Sequence, residues 1–171
     1  MIELERTFLA KKLPENLENL PRKEVIDIYH PKEAHHPVLR LRKDGDKYEL
    51  TKKNPVEGND ASRQREQTIS LSREEFERLS QLEGKKVEKV RYYYEYNGKR
   101  AEIDVFRGDL EGLVLVDFEF STPEEKDSFS MPEFCLADVT REVFIAGGML
   151  CGKKFSDIAA KLAEFGYQKP L

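Results

Sequence analysis

Alternation of apolar and polar residues dominates this chain and predicts a protein built mainly of β-strands. In a strand, successive side chains point to opposite faces, so a period of two marks a half-buried strand. Hairpin turns are indicated at Asp44-Gly45-Asp46 and Asn97-Gly98. The strands are predicted at 2–9, 25–29, 38–43, 47–53, 65–71, 85–96, 99–106, 113–120 and 137–140.

Helical signals are fewer and lie between or after the strands. Ser72 and Glu75 fit a capping box that opens a helix over 73–82, and Thr122-Pro123 begins another that runs to about 129. A short helix is predicted over 14–20, and Ser156 is predicted to cap a last helix. Because hairpins join most strands, we predict an α+β fold that is mainly antiparallel β. It forms a single domain over 1–171, either a sheet or a closed barrel with peripheral helices.

Composition narrows the function classes. Charged residues make up 36% of the chain, yet 29 Lys+Arg against 33 Asp+Glu leave a net charge of only −4. The apolar share of 39% is enough for a core, and a net acidic chain is a poor candidate for bulk nucleic-acid binding. The sequence has no apolar run of about 20 residues, no basic-then-apolar leader and two cysteines. We therefore expect a cytoplasmic protein without membrane contact.

Charged residues recur at alternate positions along several strands, so that they share one face of each strand. One strand with a solvated face would show the same pattern, but 113–120 is otherwise strongly apolar, so Asp117 and Glu119 face either solvent or an enclosed polar space. If the sheet closes, carboxylates suited to Mg²⁺ or Mn²⁺ meet Arg and Lys side chains suited to phosphate. Phosphoryl or nucleotidyl transfer requires that combination. The acidic set is Glu3, Glu5, Asp117 and Glu119, and the basic set is Arg40, Arg42, Lys53, Lys89 and Arg91.

Several short motifs occur in a fixed order along nearly the whole chain. They are Glu3-Leu4-Glu5, Leu39-Arg40-Leu41-Arg42, Lys53, Arg65-Glu66, Lys89-Val90-Arg91, Glu102-Ile103-Asp104, Asp117-Phe118-Glu119 and Asp138-Val139-Thr140. As an ordered set they resemble the CYTH domain proteins, or triphosphate tunnel metalloenzymes. That family includes class IV adenylyl cyclases, thiamine triphosphatases and inorganic triphosphatases.

The resemblance implies an eight-stranded antiparallel barrel that closes around a tunnel. It implies that the basic set binds a triphosphate, namely tripolyphosphate, thiamine triphosphate or ATP. The acidic set would hold Mg²⁺ or Mn²⁺, with Glu5 and Glu66 as the catalytic carboxylates. Glu102 and Asp104 are left with two roles, metal binding or support of the basic side chains. A homodimer is also left open.

Two departures from the family pattern affect the activity. Thr7 stands where the family has a lysine, and Arg6, one residue away, points to the other face by strand alternation. Asp117 replaces a more usual glutamate. The preferred function is metal-dependent hydrolysis of an inorganic or organic triphosphate. The alternatives are a class IV-type adenylyl cyclase and a non-catalytic protein that binds triphosphate, polyphosphate or nucleotide.

Overall fold

A computed structural model describes residues 2–56 and 63–170, without the side chains of Ile2, Glu3 and Arg63. The predicted loop 54–62 therefore lies partly outside the described residues. Within them, nine antiparallel strands form one sheet in the order β5-β4-β3-β2-β6-β7-β8-β1-β9. The strands are β1 Ile2–Ala10, β2 Arg22–His30, β3 Leu39–Asp44, β4 Lys47–Pro55, β5 Arg63–Leu71, β6 Lys85–Tyr96, β7 Lys99–Phe106, β8 Val114–Phe120 and β9 Cys135–Asp138.

β5, at one end of this strand order, also pairs with β1, the strand next to the other end. β1 pairs with β8 over six positions and with β5 over three, from Ile2–Arg65 to Leu4–Arg63. The prediction of an antiparallel, β-rich α+β fold is confirmed. The hairpins at Gly45 and Gly98 are confirmed as well, and both glycines have the positive φ that a tight turn requires.

Four α-helices are described, and their caps explain where they begin. They are α1 Arg73–Leu79, α2 Pro123–Ser128, α3 Gly147–Leu150 and α4 Phe155–Glu164. The Ser72 hydroxyl accepts from the Glu75 N–H and the Glu75 carboxylate accepts from the Ser72 N–H, so the predicted capping box is present. The Thr122 hydroxyl caps α2 by accepting from the Glu125 N–H, and the Glu125 carboxylate accepts from the Ser121 N–H.

Two helix predictions are wrong in extent, and a third is wrong in its cap residue. The predicted helix 14–20 is only a 3-10 turn over Leu17–Asn19, because Asn16 before it has a left-handed φ of 58°. α1 stops at Leu79 rather than 82. Ser156 does not cap α4. Lys154 is the cap residue, and the Asp157 carboxylate accepts from its N–H at 2.7 Å.

Two apolar clusters stabilise opposite faces of the sheet. One packs Phe8, Ile103, Val116 and Phe118 against the segment that follows β8, which contributes Phe134. The other packs α3, α4 and the turns around them against strand residues that include Leu9, Val87 and Leu115. By alternation, Leu9 follows Glu5 and Thr7 on β1, and Leu115 precedes Asp117 on β8. The carboxyl-terminal helices therefore cover one end of the face that carries the charges, which we call the polar face.

Candidate functional site

Three cations of the polar face are shielded from water, although this face lies opposite the apolar cluster around Phe118. The side chains of Arg40 and Arg42 are each 13% exposed, and that of Lys89 is 10% exposed. Long cationic side chains on an ordinary solvated strand face remain largely accessible to water. These residues therefore line an internal polar space, which excludes the alternative of a simple surface hairpin.

A buried carboxylate on β2 holds the first pair of arginines. Asp27 lies opposite Arg42 in the pairing of β2 with β3, and its two oxygens accept from Arg42 Nε at 2.6 Å and Nη2 at 2.7 Å. Arg40 Nε lies 3.9 Å from Asp27 Oδ1. Burial alone would raise the pKa of Asp27, but the Arg42 guanidinium outweighs burial and holds this pKa well below its ordinary value. Asp27 is therefore a charged buried anchor.

The same arrangement occurs on β6 and β7. Asp104 lies opposite Arg91 and accepts from its Nε at 2.7 Å and its Nη2 at 2.8 Å. It also accepts from Lys89. Burial would raise the pKa of Asp104, yet Arg91 and Lys89 keep it well below its ordinary value. Burial lowers the pKa of Lys89, and Asp104 opposes that shift.

Arg91 also connects this pair to the acidic end of the polar face. It contacts the Glu102 carboxylate, and its Nη2 lies 3.8 Å from Asp117 Oδ2. Burial raises the pKa of Glu102. Burial, together with the nearby Asp104 charge, raises the pKa of Asp117. Several carboxylates are thus crowded around one guanidinium.

Thr7 offers a neutral hydroxyl at the position where the motif resemblance predicts a lysine. Thr7 lies opposite Asp117 in the pairing of β1 with β8, and its Oγ1 donates to Asp117 Oδ1 at 2.7 Å. Arg6 points to the other face, as alternation predicts, where it pairs with Asp138 at 2.7 Å. No positive charge from β1 at this position therefore reaches Asp117.

The remaining predicted residues meet where β1, β4 and β5 adjoin. Lys53 Nζ lies 3.3 Å from Glu66 Oε2 and 4.0 Å from Glu5 Oε2. The Thr68 hydroxyl donates to Glu66 at 2.6 Å. The side chain of Glu3 lies outside the described residues, so no contact bears on its predicted role as a metal ligand.

The acidic residues suit a divalent cation without forming a complete cage. Glu5 and Glu119 are direct partners across β1 and β8, and like charges placed directly opposite destabilise a sheet unless a cation lies between them. Carboxylate oxygens are the donors that Mg²⁺ and Mn²⁺ prefer. Within 2–56 and 63–170, no three His, Cys, Asp or Glu side chains are grouped as a finished metal site.

Sequence reasoning missed Asp27 and left the role of Asp104 open. Asp27 sits between Ile26 and Ile28 in a strand that reads as apolar, and its partner is 15 residues away along the chain. The only signal was a lone carboxylate in an apolar strand beside an Arg-x-Arg strand. For Asp104, the contacts with Arg91 and Lys89 favour support of the basic side chains.

An antiparallel sheet that carries shielded arginines and a lysine beside opposed carboxylates on one face defines a class of protein suited to bind a polyanion with a cation. The chain belongs to the CYTH domain family, whose sequence profile matches residues 1–131. The resemblance inferred from the ordered motifs is thereby confirmed.

Individual relatives agree with this assignment. The chain is 35% identical over 145 residues to an inorganic triphosphatase of Nitrosomonas europaea, covering 83% of this chain and 91% of the relative. It is also similar to a crystal structure of an inorganic triphosphatase, with a TM-score of 0.63, 28% identity and coverage of 87% and 93% of the two chains. A putative adenylate cyclase from Bacillus halodurans shares the fold, with a TM-score of 0.55 at 15% identity and coverage of 98% and 91%.

No helix among the described residues is long and apolar enough to cross a membrane.

Proposed function

We propose that this protein is a metal-dependent triphosphatase that hydrolyses an inorganic or organic triphosphate bound on the polar face. The observation that carries the proposal is the enclosure of Arg40, Arg42, Lys89 and Arg91 on one face, each side chain no more than 14% exposed. Shielded cations need anionic partners, and the carboxylates that contact them leave part of their donor capacity unused, including Arg40 Nε. The relation to inorganic triphosphatases supports a triphosphate as that partner.

The basic residues would bind different phosphates of the triphosphate. Arginine presents a planar fork that can bind two phosphate oxygens, whereas lysine acts as a compact point charge. Arg40, Arg42 and Arg91 would therefore orient the phosphates, and Lys53 and Lys89 would neutralise charge. Fixed donors aimed at the oxygens stabilise the charge that develops as the phosphoanhydride bond breaks.

The acidic residues would hold the cation and the attacking water. Glu3, Glu5, Asp117 and Glu119 are the proposed ligands of Mg²⁺ or Mn²⁺, of which the opposed pair Glu5 and Glu119 is the best supported. A bound divalent ion supplies charge neutralisation at the phosphate oxygens. Glu5 and Glu66, both within 4.0 Å of Lys53 Nζ, would orient water for attack on the terminal phosphorus. The water would give a proton to one of these carboxylates as its oxygen bonds to the terminal phosphorus. The bond from that phosphorus to the bridging oxygen would then break, and the rest of the triphosphate would leave with the bridging oxygen.

We further propose that strands β1–β8 form a closed tunnel barrel and that 1–171 is one domain. The pairing of β1 with both β8 and β5 supports closure. The packing of α4 residues Ile158 and Leu162 in the same cluster as Leu9 and Leu115 supports a single domain. Both cysteines are free and buried, which suits the predicted cytoplasmic location.

A second candidate function is triphosphate binding without turnover. The observation that favours it is the Thr7 hydroxyl on Asp117, because this position in the family carries a lysine implicated in activating water or orienting the phosphate. Comparing phosphate release by the wild type and by Thr7→Lys distinguishes a triphosphatase from a protein that only binds triphosphate.

The test is phosphate release from tripolyphosphate, thiamine triphosphate and ATP with Mg²⁺ or Mn²⁺, with cyclic AMP measured in the ATP reactions. A triphosphatase releases phosphate from at least one substrate and forms no cyclic AMP. Cyclic AMP with pyrophosphate would instead identify a cyclase. Tight binding without release, together with phosphate release by Thr7→Lys, would identify the binder.

A further inference from the structure

Asp27 is not one of the residues in the sequence motifs, yet its carboxylate forms two hydrogen bonds with Arg42. Its side chain is 3% exposed, and both of its oxygens are committed to the Nε and Nη2 edge of the guanidinium. A buried ion pair is weak evidence for stability, since apolar residues of similar volume often do as well. The presence of a charged pair at this depth therefore calls for another explanation.

Bidentate pairing fixes the orientation of the guanidinium plane. An arginine has five N–H donors in a rigid fork, and Asp27 engages one Nε proton and one Nη2 proton. The opposite edge, with Nη1 and the second Nη2 proton, is thereby held in one direction. A lysine or an unanchored arginine at this position would lose that direction to rotamer freedom.

Asp27 also lies close to Arg40. The Nε of Arg40 is buried and has no hydrogen-bond partner among the described residues, and it lies 3.9 Å from Asp27 Oδ1, beyond hydrogen-bond distance. One carboxylate therefore binds the second arginine of the Arg40-Leu41-Arg42 motif and holds the first by charge alone.

The second basic strand repeats this design with an independent carboxylate. Asp104 binds the fork of Arg91 in the same bidentate manner and contacts Lys89, the first cation of Lys89-Val90-Arg91. In both cases the aspartate lies directly opposite the second cation of the motif, Arg42 or Arg91, on the neighbouring strand. Two unrelated strand pairs thus arrive at the same arrangement.

We propose that Asp27 is a positioning residue for triphosphate binding, which it serves by fixing the free edge of Arg42 toward the ligand. This inference rests on the proposed function. A purely electrostatic role makes the opposite prediction, because removal of Asp27 adds one unit of positive charge to an anion site and would tighten binding.

The test measures the Kd of tripolyphosphate by calorimetry and kcat/KM by phosphate release, with Mg²⁺ present. Asp27→Asn keeps the side-chain shape but replaces one acceptor with a donor facing the guanidinium. We expect binding to weaken by about tenfold to 100-fold, the cost of misplacing a group by about 1 Å. Asp109→Asn is the matched control. Asp109 is exposed in the turn between β7 and β8, so this variant makes the same charge change outside the polar face and should bind within about twofold of wild type.

Asp27→Glu keeps the inference testable if the asparagine variant does not fold. It retains the buried charge and moves the acceptor oxygens by one methylene, so we expect at least a tenfold loss of kcat/KM. In an Arg42→Lys background, which has no fork to orient, Asp27→Glu should have almost no further effect. Unchanged or tighter tripolyphosphate binding in folded Asp27 variants would overturn the inference. If the wild type neither binds nor hydrolyses a triphosphate, the proposed function itself has failed.

Discussion

Asp104 is the clearest case in which one buried residue controls the charge of its surroundings. It is 1% exposed and pairs with Arg91 and Lys89 at once. A buried carboxylate with two cations is stable only in its charged form, so the acid form is disfavoured by the fold. The state of this single side chain therefore couples stability to pH.

The sign of that coupling follows from the pKa shifts. The folded pKa of Asp104 lies well below its ordinary value of 3.8, so the unfolded chain takes up its proton first as the pH falls. The stabilisation is fully present above about pH 5 and is lost progressively as the pH drops below 3.8. Glu102 and Asp117 have raised pKa values and act in the opposite sense, since protonation relieves their burial.

We predict that the wild-type free energy of unfolding decreases more steeply between pH 5 and pH 3 than that of Asp104→Asn. The difference in slope should approach about 1.4 kcal/mol per pH unit, the value for one proton. Urea unfolding at several pH values measures it. Asp109→Asn, in an exposed turn, should keep the wild-type slope. Equal slopes for wild type and Asp104→Asn would contradict the assignment of a depressed pKa to Asp104.

At the scale of elements, α3 meets β2 with no space to spare. A Cβ added at Gly147 would lie 2.1 Å from the Tyr29 hydroxyl oxygen and 3.0 Å from the ring carbon that bears it. Gly147 does not have a positive φ, so its requirement for glycine is steric rather than conformational. The close approach fixes how the carboxyl-terminal helices sit on the end of the polar face.

We predict that Gly147→Ala destabilises the protein by about 1–3 kcal/mol, the usual cost of overpacking. Tyr29→Phe removes the atom at 2.1 Å and should recover part of this loss in the double variant. Denaturant unfolding of the two single variants and the double variant measures the coupling. Additive effects would show that Gly147 and Tyr29 are not in the contact described.

Local rules predicted the strands and two helix caps, but not the small helices. The Asn97-Gly98 turn and the Ser72–Glu75 capping box each depend on four consecutive residues or fewer. A short stretch of sequence is therefore enough to predict them. α3 has four residues and no side-chain cap. Its existence depends on apolar packing against distant strands, which no local pattern reports.

For the whole molecule, near-neutral net charge conceals a strong internal separation of charge. The chain carries −4 overall, yet Arg42 pairs with Asp27, and Lys89 and Arg91 pair with Asp104, in the shielded part of one sheet face. Periodicity predicted which residues would share that face, and the order of the motifs indicated the family. The pairing of Asp27 with Arg42 could not be predicted, because it requires the register of β2 against β3, which only the folded sheet defines.

The central claim is that the enclosed cations of the polar face bind the triphosphate that the protein hydrolyses. The most direct measurement is kcat/KM for tripolyphosphate with Mg²⁺ or Mn²⁺ in the wild type, Arg40→Gln and Arg73→Gln. Arg73 lies on α1 with a side chain 77% exposed, so its loss removes the same charge far from the polar face.

We predict measurable hydrolysis in the wild type, a loss of about tenfold to 100-fold in Arg40→Gln, as for a lost charge-assisted hydrogen bond, and no more than about a twofold change in Arg73→Gln. Absence of hydrolysis in the wild type, or equal activity of Arg40→Gln and Arg73→Gln, would contradict the account.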